Sequence, residues 1–219
     1  MSAHVGMRVR IHDGHDRSSG DVRNSTLPFS FRWSGATYGV PVADLTDRGT
    51  DLVIRDGGIL GAMFRVLASS DCESIWEINQ SNVPAVGEET PQSLEKILHV
   101  AEIALGVVDE DVLVGFCLVL PPGTAYDSPN YRYFCDRFDD FSYLDRVAFR
   151  PSHQGRGLGA ALYREVDRRM VRPRLTLEVN VVPPNEGSMR FHLREGFVEL
   201  DRCETRPGKV VSLMSKECV

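Results

Sequence analysis

The residues best suited to chemistry lie in one short run, Gln154-Gly155-Arg156-Gly157-Leu158-Gly159-Ala160. Alternate glycines let a backbone turn sharply and bring bare N–H groups close to a ligand. Just before a helix, such a turn sets those donors at the helix's positive end, where a phosphate or diphosphate binds well. An ordinary strand–helix connection would need only one glycine. Arg156, inside the run, carries a guanidinium that either meets a phosphate or stays solvated. Further on stand Glu178, Asn185 and His192, each a side chain able to take, give or hold a proton.

The flanking segments must position these groups. Leu144, Val147 and Phe149 form a strand-like stretch that Pro151 stops, since proline offers no N–H to a ladder. After the glycines, Leu158, Ala161, Leu162, Val166 and Met170 recur at helical spacing. Residues 174–182 alternate, with Leu175, Leu177, Val179 and Val181 on one face and Thr176, Glu178 and Asn180 on the other. Asn185 then caps a helix running to Gly196, and segments 197–200 and 210–214 pair through a turn at 206–209. Upstream, residues 63–67 read as a strand, and Ser70 to Glu73 as a capping box opening a helix to about Gln80. Thr90-Pro91 starts a second helix, with Leu94, Ile97, Leu98, Ala101 and Leu105 on one face and Gly106 as its stop. A hairpin with an acidic turn, Asp109-Glu110-Asp111, follows. The long aromatic loop 124–140 is expected to wall a substrate pocket.

Composition narrows the class. The chain has 219 residues, 42% of them hydrophobic, enough for one good core and a small appendage. A net charge of −6 argues against a general nucleic-acid binder. Five scattered cysteines without a CxxC pair suggest reduced thiols rather than a disulfide framework or zinc site. The longest apolar run is too short to span a bilayer, and no signal peptide is evident, so a cytoplasmic protein without membrane contact is expected. Residues 1–62 read as a poorly ordered or loosely packed extension, possible short strands at 40–42 and 52–55 aside, and 63–219 as the catalytic domain. The extension is expected to be dispensable, as if from a misassigned start codon. His12, Asp13, His15 and Asp16 offer no fixed geometry, and no metal site is expected.

The order strand, two helices, hairpin, strand, glycine loop, helix, strand, helix, hairpin resembles the GNAT superfamily of N-acetyltransferases over residues 63–216. Its phosphate-loop signature (Q/R)-x-x-G-x-(G/A) stands as Gln154, Gly157 and Gly159. Its second signature stands as Asn185, Ser188, Phe191, His192, Gly196 and Phe197, with His192 where a tyrosine is commonest. The pieces VPAVG at 83–87 and DSPNYRYF at 127–134 look like a bacterial subgroup of predicted acetyltransferases. The resemblance implies an α/β GNAT acyltransferase fold: a mixed, mostly antiparallel central sheet of about six to seven strands with about four helices. It further implies an acyl-CoA-dependent N-acetyltransferase moving an acetyl group from acetyl-CoA to a primary amine by direct attack in a ternary complex.

By the same resemblance, the main chain of Val147, Ala148 and Phe149 binds the pantetheine arm as an added strand. Gln154 and the amides of Gly155, Arg156, Gly157, Leu158, Gly159 and Ala160 hold the diphosphate, and Asn185 bonds the pantetheine or caps its helix. An alkylammonium is neutral in only about one molecule in 2,500 at pH 7, a handicap of roughly 4.6 kcal/mol, so a base is wanted. Glu178 matches where several GNAT enzymes place a base acting through water. A backbone N–H within 147–149 would hold the oxyanion. His192 either protonates the leaving thiolate or is a hydrogen-bonded cleft residue, with Tyr163 or Tyr143 as the donor. The expected partner is a small-molecule or peptide amine; polyamine, aminoglycoside-like antibiotic, amino acid and protein N-terminus all stay open, as does a homodimer. Two alternatives stand beside this reading. The missing tyrosine allows a non-catalytic acyl-CoA-binding module of GNAT fold. Gly155, Gly157 and Ala160 also fit the dinucleotide pattern G-x-G-x-x-A, although residues 151–154 separate the strand from the first glycine.

Overall fold

The computed structural model describes residues 62–218 and, ahead of them, the backbone of an antiparallel hairpin, β1 (Phe29–Trp33) and β2 (Ala36–Val40). The hairpin belongs to one compact unit and residues 62–218 to another. The expected strand at 52–55, the 41–42 part of the other and the His12, Asp13, His15 and Asp16 group lie outside the described residues.

The larger unit is a seven-stranded sheet. Its spatial order is β3 (Met63–Val66), β4 (Ile103–Asp109), β5 (Val112–Leu120), β6 (Ser142–Phe149), β7 (Arg174–Val182), β9 (Lys209–Glu217) and β8 (Val198–Arg206). Helices α1 (Cys72–Gln80), α2 (Pro91–Val100) and α3 (Pro129–Cys135) cover one face. Helix α4 (Leu158–Arg169) packs on the other with Met189 and Phe191 of α5 (Glu186–Arg194). Of the stripe that the sequence spacing predicts, Leu158, Leu162 and Val166 are buried and Ala161 and Met170 partly so, and Tyr163 joins them in the core. Among the described residues no helix is long and apolar enough to cross a membrane.

Every neighbouring pair in this sheet is antiparallel except β6 and β7. That pattern removes the dinucleotide-binding alternative, which needs repeated parallel crossover units. The parallel pair is brief: Ser142 faces Leu175 and Tyr143 faces Thr176, and no further partners follow. Beyond them the two strands diverge. The β5–β6 register also skips Asp145, with Leu118 facing Arg146 and Val119 facing Leu144. This bulge turns the side chains of both Asp145 and Arg146 toward the α1–α3 face.

Two local expectations change. Helix α2 stops at Val100, and Gly106 lies inside β4 instead of ending a helix. Ile103, Leu105 and Val107 alternate into the core there, and a methyl at Gly106 would come within 2.6 Å of Leu113 Cδ1. At α1 the stabilising side chain is Asp71, which accepts from the Ala68 N–H at 2.9 Å and from Arg65.

Candidate active site

Where β6 and β7 part, a cleft of about 790 Å³ opens, lined by both strands, the glycine loop and the start of α5. Gly155 (φ 71°) and Gly157 (φ 80°) take the left-handed conformation that only glycine adopts without strain. Residues 154–157 are exposed and the loop leads directly into α4. Ala161 N–H bonds back to Gly157 O, so the amides of Leu158, Gly159 and Ala160 precede the first intrahelical bond. Among the described residues none of the amides at 155–160 donates to a main-chain carbonyl. A diphosphate fits such a set of open donors at a helix start.

The strand beside the loop is equally open. Arg150 N–H donates to Val114 O on β5, so by strand alternation Ala148 faces β5 too. Val147 and Phe149 therefore turn their N–H and C=O groups into the gap left by β7. Phe149 O already accepts from Asn82 Nδ2 at 2.9 Å and Gln154 Nε2 at 3.2 Å, and Gln154 also donates to Asn82 Oδ1. Gln154 thus braces the loop against the strand end. Arg156 is exposed and does not line the cleft; its guanidinium sits 3.5 Å from Asp109 at the β4–β5 turn, where His153 also bonds.

Glu178 projects from β7 into the cleft, half-buried. Tyr143 Oη on β6 donates to its Oε2 at 2.6 Å. Burial pushes the carboxyl up to about 7, aided by nearby Asp145; Tyr143, Asn130 and Lys209 pull the other way. Tyr143 is thereby removed as a thiolate donor, since its hydroxyl is committed to Glu178 and it does not line the cleft. Next to this pair, Asp145 accepts from Tyr126 Oη at 2.5 Å and Arg146 Nε at 2.6 Å, and Arg146 reaches Asn79 and Glu89. Of this second group the sequence reading marks only Tyr126, as part of the 124–140 segment.

His192 does not suit the role of acid. It is buried, its Nδ1 lies 2.8 Å from Ser188 O, and Tyr163 Oη lies 2.7 Å from its Nε2. A carbonyl can only accept, so Nδ1 carries the proton and Nε2 accepts from the tyrosine. Burial pulls the imidazole down to about 4, leaving it neutral at pH 7. Asn185 caps α5 by accepting from Ser188 N–H at 3.2 Å and also lines the cleft. The 124–140 segment is no pocket wall: it contains α3, and Tyr131 and Phe134 are core residues. It stands behind the cleft, against Tyr143.

Divergent strands, an open glycine loop and a capped α5 together define an acyltransferase cleft of GNAT type. The sequence model of the acetyltransferase (GNAT) family matches residues 65–197, more than half of the chain, and the protein belongs to that family. Solved structures share the fold: Ard1 from Thermoplasma volcanium (TM-score 0.60, 16% identity, covering 73% of this chain and 99% of that one); the ribosomal-protein-S18-alanine N-acetyltransferase from Escherichia coli (0.55, 17%, 72% and 94%); and yncA from Salmonella typhimurium with its cofactor acetyl-CoA (0.55, 18%, 73% and 95%). No curated protein matches the sequence. The protein is thus an acetyltransferase of the GNAT family, whose acyl donor is acetyl-CoA.

Proposed function

We propose that the protein transfers the acetyl group to a primary amine by direct attack in a ternary complex, with Glu178 as the base. The observation that carries the reading is a carboxyl in the cleft, between the diverging strands, held near 7. A base titrating near the working pH is deprotonated often enough to act and still basic enough to take a proton. Acetyl-CoA supplies a thioester whose carbonyl carbon meets the nitrogen and whose sulfur departs as a thiolate. The loop amides at 155–160 hold the diphosphate, Val147 and Phe149 hold the pantetheine, and the Val147 N–H faces the carbonyl oxygen as charge develops on it. Glu178, directly or through one water, removes the proton that keeps the amine from attacking. With His192 neutral and Tyr143 and Tyr163 committed elsewhere, the sulfur takes its proton from the acylated nitrogen through cleft water. That absence of an acid is also what favours the second reading, a non-catalytic acyl-CoA-binding module.

Incubation with acetyl-CoA and a panel of polyamines, aminoglycosides, amino acids and peptide N-termini, following thiol release, tests the reading. It predicts amine-dependent release that Glu178→Gln suppresses. Tight coenzyme binding without release on any amine would favour the module.

A further inference from the structure

We propose that Asn180 is a specificity-determining residue: it ties the loop between α1 and α2 across the gap between β6 and β7, leaving the acceptor a passage that takes an amine on an unbranched carbon. The inference rests on transfer to an amine at Glu178. Two side-chain amides hold the loop from opposite lips of the cleft. On the β6 side, Asn82 Nδ2 donates to Phe149 O at 2.9 Å. On the β7 side, Asn180 Nδ2 donates to Pro84 O at 3.3 Å and to Ala85 O at 3.2 Å. Residues 82–85 therefore bridge the two strands where they no longer pair.

The bridge lies on one face of the sheet. Thr176, Glu178 and Asn180 alternate onto the side that α1–α3 cover, where Glu178 meets Tyr143. The glycine loop leads into α4 on the other side. The cleft joins the two, with Gly157 and Leu158 in its lining at one end and Ala85, Val86, Gly87 and Glu178 at the other. Acetyl-CoA occupies the α4 end, so the amine comes in from the side of the bridge.

The bridge is also held along its length. Asn79 Nδ2 donates to Gly87 O at 3.0 Å, Trp76 Nε1 to Glu89 O at 3.0 Å, and Arg146 reaches the Glu89 carboxylate at 3.2 Å. Asn180 itself is buried, and its main-chain carbonyl accepts from Asn185 N–H at 3.0 Å, which fixes the tie to the start of α5. A loop fastened at this many points does not give way to a bulky ligand. Glu178 and Asn180 are two residues apart on one strand face, a separation of roughly 7 Å. Atoms in contact sit about 3.5 Å apart, so one layer of atoms fits between the carboxyl and the tied loop. A methylene chain is that thin. A second substituent on the carbon bearing the nitrogen, as in an α-amino acid or most peptide N-termini, would press on the loop main chain. The passage thus suits an alkylamine of polyamine type.

The test uses n-butylamine and sec-butylamine, which have the same atoms and differ only in branching at the carbon that bears the nitrogen. Each is titrated into the ¹⁵N-labelled full chain saturated with CoA, following the amides of Ala85, Val86 and Gly87, and each is assayed for thiol release from acetyl-CoA. The wild type should favour n-butylamine about tenfold or more, in Kd and in kcat/KM. Asn180→Ala and the similarly sized Asn180→Leu cannot donate to the two carbonyls. In whichever variant folds, hydrogen exchange across residues 83–87 should quicken and the two amines should come within about threefold of each other. A wild type that treats the amines alike overturns the inference without any variant. So does an exchange rate that stays unchanged in the variants, or a preference that survives a faster-exchanging loop. Selective binding without thiol release upholds the passage and defeats the transfer; release from both amines alike upholds the transfer and defeats the passage. Neither binding nor release defeats both.

Discussion

At the residue scale, a carboxyl buried on a strand works against folding as soon as it ionises. Glu178 titrates near its ordinary 4.5 in the unfolded chain and near 7 in the fold, so between those values the folded protein holds the extra proton. Its contribution to stability is thus fully present below pH 4.5 and is lost as pH rises through about 7. Glu178→Gln should therefore stabilise the protein at pH 8, on the order of 2 kcal/mol, and much less at pH 5, by urea denaturation. The same substitution should lower kcat/KM by about 100-fold or more. Wild-type kcat/KM should rise with pH through an acid limb near 7. His192 carries the opposite sign. With its imidazole held down to about 4 from 6.5, the fold loses stability as pH falls through that window, and His192→Gln should flatten the loss.

At the element scale, the site depends on how β6 is carried by β5. A methyl added at Gly115 would stand 2.2 Å from Cδ1 of Phe149, whose main chain faces the cleft. Gly115→Ala should push that strand end outward and raise KM for acetyl-CoA about tenfold with a smaller effect on kcat, measurable by steady-state kinetics. Elements whose signals are local were legible in the sequence: the glycine loop, the α4 stripe, the Asn185 cap and the alternation that puts Glu178 on the polar face. Helix α3 was not, because seven residues with aromatic side chains facing inward on a short turn show no clear period. Its Ser128-Pro129 start was a readable signal all the same. Gly106 misled because apolar residues at 101, 103 and 105 fit a helix or a strand until their partners on β3 and β5 decide. The bulge at Asp145 exists only in the pairing with β5, and Tyr143 meets Glu178 only where β6 and β7 touch. Neither is written in any one segment. His192 drew attention by occupying a tyrosine's place; it lines the cleft, but burial holds its imidazole neutral and both ring nitrogens have partners.

At the scale of the whole molecule, the sheet from β3 to β8 and the residues lining the cleft all lie within residues 63–217, and the family match falls inside that span. A chain begun at residue 62 is predicted to melt cooperatively and to bind acetyl-CoA within about threefold of the full chain, by calorimetry. The account as a whole rests on a coenzyme lying along β6 with its diphosphate at the start of α4. The most direct measurement is a titration of acetyl-CoA into ¹⁵N-labelled protein, following backbone amides. The amides of residues 155–160 and those of Val147 and Phe149 should shift together at one saturating concentration, while those along β8 stay in place. Saturation that leaves the 155–160 amides unmoved would contradict it.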